Sequence, residues 1–276
     1  MKCYLLCFIV LLVSCSGDNG TIKIKGSDTE VNLAVQLAES FHHVNSGVFV
    51  SISGGGSGLG IASLLNETAD VANSSRSIKK GEIDLFKKKG AQIDSFIFAQ
   101  DAIAFVVADD LPIDSVSTTE LANLLNGHYR NWWSLTRKNM PVNIYGRQSN
   151  SGTHDFVKNK LGIEFTPYAK QMSGNAQILE AIRADHSGIG YVGAGYVSRG
   201  GRQGIKVLPV YVTKNEKAIS PLDSVMIAAG KYFFQRPLFQ YYKTASYPKI
   251  KPFLDFEKSD EGKKIIHASG YYPVKQ

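Results

Sequence analysis

Two periods of apolar and polar residues take turns along this 276-residue chain. Continuous or alternating apolar runs predict strands over Thr21 to Lys25, Val48 to Ile52, Ile97 to Val107, Val142 to Tyr145, Gly188 to Val192, Ile205 to Pro209 and Ser224 to Ala229. Between them, apolar residues spaced for one helix face predict helices over Val31 to Val44, Leu59 to Asn66, Lys80 to Lys89, Thr118 to Asn126, Thr153 to Leu161, Asn175 to Ala184 and Gly262 to Ala268. This alternation implies an α/β architecture with mainly parallel sheets. Ligands of such sheets bind beyond the carboxyl ends of the strands.

Four loops at those ends share one chemistry. Gly26-Ser27-Asp28-Thr29, Ser53 to Gly60, Asn73-Ser74-Ser75-Arg76 and Arg147-Gln148-Ser149-Asn150-Ser151-Gly152-Thr153 each follow a strand-like run and carry small hydroxyls. The last is the fullest. Its helix starts near Ser151, so backbone N–H groups would point at an anion. Arg147 adds a planar fork for two oxygens, and Ser151 and Thr153 add hydroxyl donors. Glycines such as Gly54 to Gly56 let backbone approach a ligand closely. For any one loop alone, a Ser/Thr-capped helix is the structural alternative. Four together point to a small-oxyanion site. A nucleotide site is not indicated, because no Gly-Lys-Ser/Thr occurs and no acidic residue stands at the dinucleotide spacing after the glycine loop.

Composition changes the picture at the N-terminus. Met1-Lys2, the apolar run Cys3 to Val13 and Ser14-Cys15 read as an export signal. The run is shorter than the roughly 20 residues that span a bilayer. Leu12-Val13-Ser14-Cys15 resembles the bacterial lipobox, which implies a signal peptide over 1–14, lipid on Cys15 and a polar tether over 15–20 that holds a soluble body on a membrane. All three cysteines lie in this segment, so the body is expected to carry neither a disulfide nor a thiolate metal site.

The hydrophobic fraction, 43%, suffices for one large domain or two lobes. The net charge of +7 comes mostly from scattered lysines, read as solvated helix faces. No basic and aromatic stripe suggests nucleic acid, and no histidine cluster suggests a metal or other cofactor. Trp132-Trp133, Tyr241-Tyr242 and Tyr271-Tyr272 are expected to pack in the core or hinge rather than stack on sugars. Ser77-Ile78-Lys79-Lys80 has the Ser-x-x-Lys spacing of acyl-enzymes but lacks the Ser-Asp-Asn and Lys-Thr-Gly partners, so an enzyme is not expected.

Taken in order, Gly26-Ser27-Asp28-Thr29, Gly55-Gly56-Ser57-Gly58, Asn73-Ser74-Ser75-Arg76, Gly127 to Trp132, Arg147-x3-Ser151-Gly152-Thr153 and Gly188-Ile189-Gly190-Tyr191 resemble the PstS-type phosphate-binding lipoproteins of ABC transporters. The resemblance covers nearly the whole mature chain, including the ending Gly270-Tyr271-Tyr272-Pro273-Val274. It implies a type II periplasmic-binding-protein fold, with two α/β lobes, two crossover strands and a central ligand cleft. The first lobe would combine 21–99 with 210–276, and the second would be 100–209. Phosphate would be contacted by Ser27, Thr29, Ser57 and Ser75 from the first lobe and by Arg147, Ser151, Gly152 and Thr153 from the second. Arg76 would either touch phosphate or only hold the cleft together. Hinge closure would complete the shell. The partners implied are inorganic phosphate, an ABC permease and the membrane of the bacterial envelope, for a monomeric receptor.

One departure from the family matters. Well-known members carry an aspartate where Ser75 stands, and that carboxylate accepts the proton of HPO4 and repels sulfate. Asp101 and Asp28 are the candidate substitutes, with a salt bridge to Arg76 or Arg147 as the structural role open to Asp101 and a helix cap as that of Asp28. Two alternatives therefore stay open: a receptor for another tetrahedral oxyanion such as sulfate, and a surface phosphatase or hydrolase built on the hydroxyl loops.

Overall fold

A computed structural model describes residues 20–198 and 202–274, so the export signal and Cys15 lie outside the described residues. The chain opens β1 (Thr21–Gly26), α1 (Val31–Val44), β2 (Phe49–Ser53), α2 (Ser57–Leu65), β3 (Val71–Ser74), α3 (Lys80–Lys88) and β4 (Ile93–Ala108). It continues β5 (Val116–Ser117), α4 (Thr118–Leu125), α5 (Trp133–Thr136), β6 (Asn143–Arg147), α6 (Gly152–Leu161), β7 (Lys170–Met172), α7 (Asn175–Ala184), β8 (Gly188–Gly193) and α8 (Gly195–Ser198). The last part is β9 (Ile205–Leu208), β10 (Val210–Tyr211), α9 (Ser224–Ala228), β11 (Gln235–Lys243), α10 (Tyr247–Lys258), α11 (Asp260–Ala268) and β12 (Tyr272–Pro273).

The main sheet runs β2-β1-β3-β11-β4-β8-β6-β7, with β9 and β12 also on β4. Its outer pairs, β1 with β2 and β3 and β6 with β7 and β8, are parallel, as the alternation of strand and helix predicts. Its centre is antiparallel: β11 pairs antiparallel with β3 and β4, and β4 with β8 and β9. The expectation of mainly parallel sheets therefore fails at the middle, because β11 comes back from the C-terminal part of the chain to lie between β3 and β4. A second correction concerns 224–229, which forms α9 instead of a strand. Asp223 Oδ1 accepts from the N–H groups of Val225 and Met226, both at 3.1 Å, and so caps a helix there.

β4 is the element that joins the halves of the sheet. Its residues 93–102 pair with β11, and from Ile103 on it pairs with β8 and β9. Asp101 sits at that handover. Apolar side chains collect in two large cores on either side of it. One centres on Ile22, Leu33, Phe41, Leu238 and Phe253. The other centres on Phe105, Val107, Trp132, Val157 and Tyr191. Val210, Ile227, Tyr232 and Phe234 belong to this second core, although the chain from 210 on was expected with the first lobe. Trp132 is fully buried, with Nε1 donating to Ser187 O at 2.8 Å, whereas Trp133 is exposed beside Arg137.

Candidate functional site

Three helical N-termini meet where the two cores face each other. The first is the 3₁₀ turn Asp28–Glu30 that leads into α1, the second is α2 at Ser57, and the third is α6 at Gly152. Each follows the carboxyl end of a strand, so their backbone N–H groups and helix dipoles converge. Gly56 precedes α2 at φ 100°, a left-handed conformation that a side chain would strain. Ser151 caps α6 by accepting from Thr153 N at 3.2 Å and His154 N at 3.5 Å.

The hydroxyls on these turns form one buried group. Ser27 Oγ donates to Ser75 Oγ at 3.1 Å, and Ser75 Oγ lies 3.4 Å from Ser57 Oγ. Ser75 N donates to Ser57 Oγ at 3.0 Å. Across the interface, Thr29 Oγ1 and Thr153 Oγ1 share a hydrogen bond of 3.0 Å. All five residues are 2% exposed or less. Gly152 closes this group from the α6 side, since a Cβ there would come within 2.7 Å of Ser75 Oγ and closer still to Ser57 Oγ. Any side chain there would force the Ser57 and Ser75 hydroxyls to give way.

Two guanidinium groups border the hydroxyls. Arg236 was not singled out from the sequence. It donates from Nη2 to Thr29 Oγ1 at 3.3 Å and to Thr153 Oγ1 at 3.1 Å, and from Nη1 to Ser75 O at 3.1 Å. Its Nε and Nη2 also hold Asp101 Oδ2 at 3.0 and 2.8 Å. Arg236 and Asp101 are direct cross-strand partners of β11 and β4, which explains their meeting. The Asp101 partner is thus Arg236, and not Arg76 or Arg147. Burial pushes the Asp101 acid up, against the pull of Arg236.

Arg147, at the end of β6, donates from Nη2 to Ser173 O at 2.9 Å, and its Nη1 lies 3.3 Å from Asp28 Oδ2. Its Nε and Nη1 complete no hydrogen bond although they are buried. Burial lowers its proton affinity, and the Asp28 carboxylate is the largest opposing influence. Asp28 Oδ2 also accepts from Asn175 N and Nδ2 at 2.9 and 2.7 Å, so this carboxylate ties the first turn to the start of α7. That is a cross-interface clamp rather than a cap of its own helix.

Arg76 points elsewhere. It donates to both oxygens of Glu82, at 2.8 and 2.6 Å, and its Nε is 3.4 Å from Asp155 Oδ2 on α6. Lys79 reaches the same Asp155 oxygen at 2.8 Å. Arg76 thus joins the two sides at the rim, outside the hydroxyl group. Asn150 makes a further bridge, donating from Nδ2 to Gly55 O and accepting at its carbonyl from Gly58 N, both at 3.0 Å. Arg236 had no motif to announce it, and Asn150, although inside the Arg147 to Thr153 loop, had no role assigned from the sequence. The signal for Arg236 was a lone arginine ahead of Pro237 in the aromatic-rich run of β11.

A fold of two α/β halves joined by antiparallel central strands, with oxyanion chemistry between them, defines a class of binding proteins. Residues 15–261 match the PBP superfamily domain, and the chain belongs to that superfamily. It is similar to the phosphate-binding protein PstS of Borreliella burgdorferi, at 26% identity over 96% of this chain and 95% of that protein. The phosphate-binding protein PstS of Pseudomonas aeruginosa is 27% identical over 94% of this chain and 84% of its own. Among solved structures, a putative phosphate ABC transporter substrate-binding protein with bound phosphate from Clostridium perfringens superposes with a TM-score of 0.82, at 22% identity over 93% of this chain and all of that one. Among the described residues no helix is long and apolar enough to cross a membrane.

Proposed function

We propose that this chain is the extracytoplasmic receptor of an ABC transporter, which captures inorganic phosphate between two lobes and delivers it to the permease without covalent chemistry. The observation that carries this reading is the convergence of five buried hydroxyls, Arg147 and Arg236 at three helical N-termini drawn from both cores. Similarity to proteins named phosphate-binding over nearly the whole chain supports it. In this reading 21–99 with the C-terminal part forms one lobe and the chain from 100 forms the other, with residues 210–234 packing on the second. Ser27, Thr29, Ser57, Ser75, Arg147, Gly152 and Thr153 contact phosphate, whose oxygens take over the hydroxyl-to-hydroxyl contacts. Ser151 holds α6 in place, and Asp101 neutralises Arg236. The receptor is a monomer held to a membrane through lipid on Cys15.

Isothermal titration with phosphate, and separately with sulfate, after unfolding and refolding to strip carried-over anion, tests this. One-to-one phosphate binding is expected. Arg147→Ala is expected to weaken it by at least about 2 kcal/mol through loss of a charged, bidentate partner. An affinity within twofold of the parent chain would sink the Arg147 role. A receptor for sulfate is the second reading, favoured by one observation: the two carboxylates expected to accept the phosphate proton are already held by other groups, Asp101 through one oxygen by Arg236 and Asp28 by Asn175 and Arg147. Heat from sulfate and none from phosphate would select it.

A further inference from the structure

Glu30 closes the turn that carries Thr29 and has no exposed surface. Neither carboxyl oxygen completes a hydrogen bond within the protein. A buried carboxylate without donors is costly and is relieved by taking up a proton. Burial drives the Glu30 acid well up, and the Ser27 hydroxyl beside it is the largest opposing influence. The charged groups facing it are Arg236 on β11, which also opposes the rise, and Asp101 on β4 and Glu257 on α10, which reinforce it. Glu257 is itself fully buried and pushed up to about 8.

Ser27 links this acid to the candidate site. A hydroxyl has one proton to give, and Ser27 gives it to Ser75. The lone pairs left on Ser27 can then meet only a donor, and the protonated acid supplies one. We propose that Glu30 is a positioning residue of the oxyanion site: as the neutral acid it turns its proton to the neighbouring Ser27 hydroxyl, Ser27 donates to Ser75, and Ser75 presents its proton to the bound anion. The proposal rests on the phosphate-receptor reading.

Ionising Glu30 turns the Ser27 proton back toward the carboxylate. Ser75 then turns its proton to Ser27 and a lone pair to the anion, and a new negative charge stands behind it. The bound dianion for its part holds the Glu30 proton more tightly than the free protein does. Affinity for HPO4 dianion is therefore level below the free-state titration and falls as pH rises through it. The steepest fall one proton allows is about tenfold per pH unit.

The test is calorimetric titration of the purified, anion-stripped chain with phosphate from about pH 6.5 to about pH 9.5, with affinities expressed for the dianion and repeated in two buffers of different ionisation heat to count protons. The parent chain should lose affinity toward the alkaline end of the window and, where it does, Glu30 should take up a fraction of a proton on binding beyond that exchanged by phosphate itself. Glu30→Gln, whose amide is a permanent donor, should lose both the slope and the proton uptake. Glu257→Gln should keep both, which separates the two buried acids. Should Glu30→Gln fail to fold, Ser27→Ala breaks the chain with Glu30 in place and should likewise flatten the profile. A flat parent profile without proton uptake, or a slope that survives in Glu30→Gln or in Ser27→Ala, overturns the proposal. Absence of phosphate binding at every pH overturns the receptor reading instead.

Discussion

Arg147 and Arg236 lie at 2% and 1% exposure among hydroxyls, whereas Arg76 at the rim keeps 9% and faces Glu82 and Asp155, whose side chains keep 22% and 15% of their surface. The inner arginines have lost water, so every partner they keep or lack counts nearly in full. Every nitrogen of Arg236 has a partner, among them a carboxylate, two hydroxyls and a carbonyl. Arg147 keeps buried N–H groups without a hydrogen bond. The contrast separates three settings for one side chain: Arg236 organises the interior, Arg147 keeps donors unspent, which is what its proposed role toward the anion needs, and Arg76 fastens the edge.

The largest expected effect comes from breaking the interior pair. Arg236→Ala leaves Asp101, which has no exposed surface, without its counter-charge. Removing one partner of a buried pair costs about 3–5 kcal/mol, and urea unfolding of the variant should show a loss of that size. A loss below about 1 kcal/mol would place Arg236 with surface ion pairs and erase the distinction drawn from burial. Replacing both partners, as Asp101→Asn with Arg236→Gln, should recover part of the loss because no charge is then stranded.

Gly152→Ala sharpens the comparison from the α6 side. The new methyl would collide with the Ser57 and Ser75 hydroxyls, yet it sits at the first turn of a helix, where alanine is well tolerated. The halves can relieve the clash by separating, so unfolding stability should change little. Phosphate affinity should fall about tenfold or more, equivalent to about 1.4 kcal/mol. An unchanged affinity in calorimetry would show that the α6 N-terminus need not approach Ser57 and Ser75 for binding.

The hydroxyl turns and the α6 terminus were legible because their chemistry is local: a strand end, small polar residues, then a helix pattern, all within a few positions. Ser27, Ser57, Ser75 and Thr153 meet in space as those patterns imply. Arg236 was not legible, because its function comes from register. Its cross-strand neighbour Asp101 is 135 residues away, and the strand that carries it holds Pro237, which speaks against a central strand. Arg76 carried two readings, contact with phosphate or a hold on the cleft, and its contacts fit the second. It adjoins the serines in sequence, but its guanidinium turns to Glu82 and Asp155. Likewise Ser224 to Ala229 is an apolar run too short for its period to separate strand from helix, and the deciding signal was Asp223 just before it.

The smallest effect belongs to the rim. Arg76 and Lys79 reach across to Asp155 from the α3 side, and Glu82 holds the Arg76 fork in place. Arg76→Gln removes the charge and keeps the reach, so the contact across the cleft weakens without stranding a buried ion, and Lys79 remains on Asp155. The expected loss of phosphate affinity is about 1 kcal/mol or less, since the pair lies outside the hydroxyl group and its carboxylates keep part of their surface in water. Screening supplies the sign that separates rim from interior. The difference between Arg76→Gln and the parent chain should shrink when ionic strength is raised from about 0.01 M to about 1 M, where the Debye length falls to about 3 Å. A penalty that stays constant across that range, or that exceeds the one measured for Arg147→Ala, would move Arg76 from the rim into direct contact with the anion.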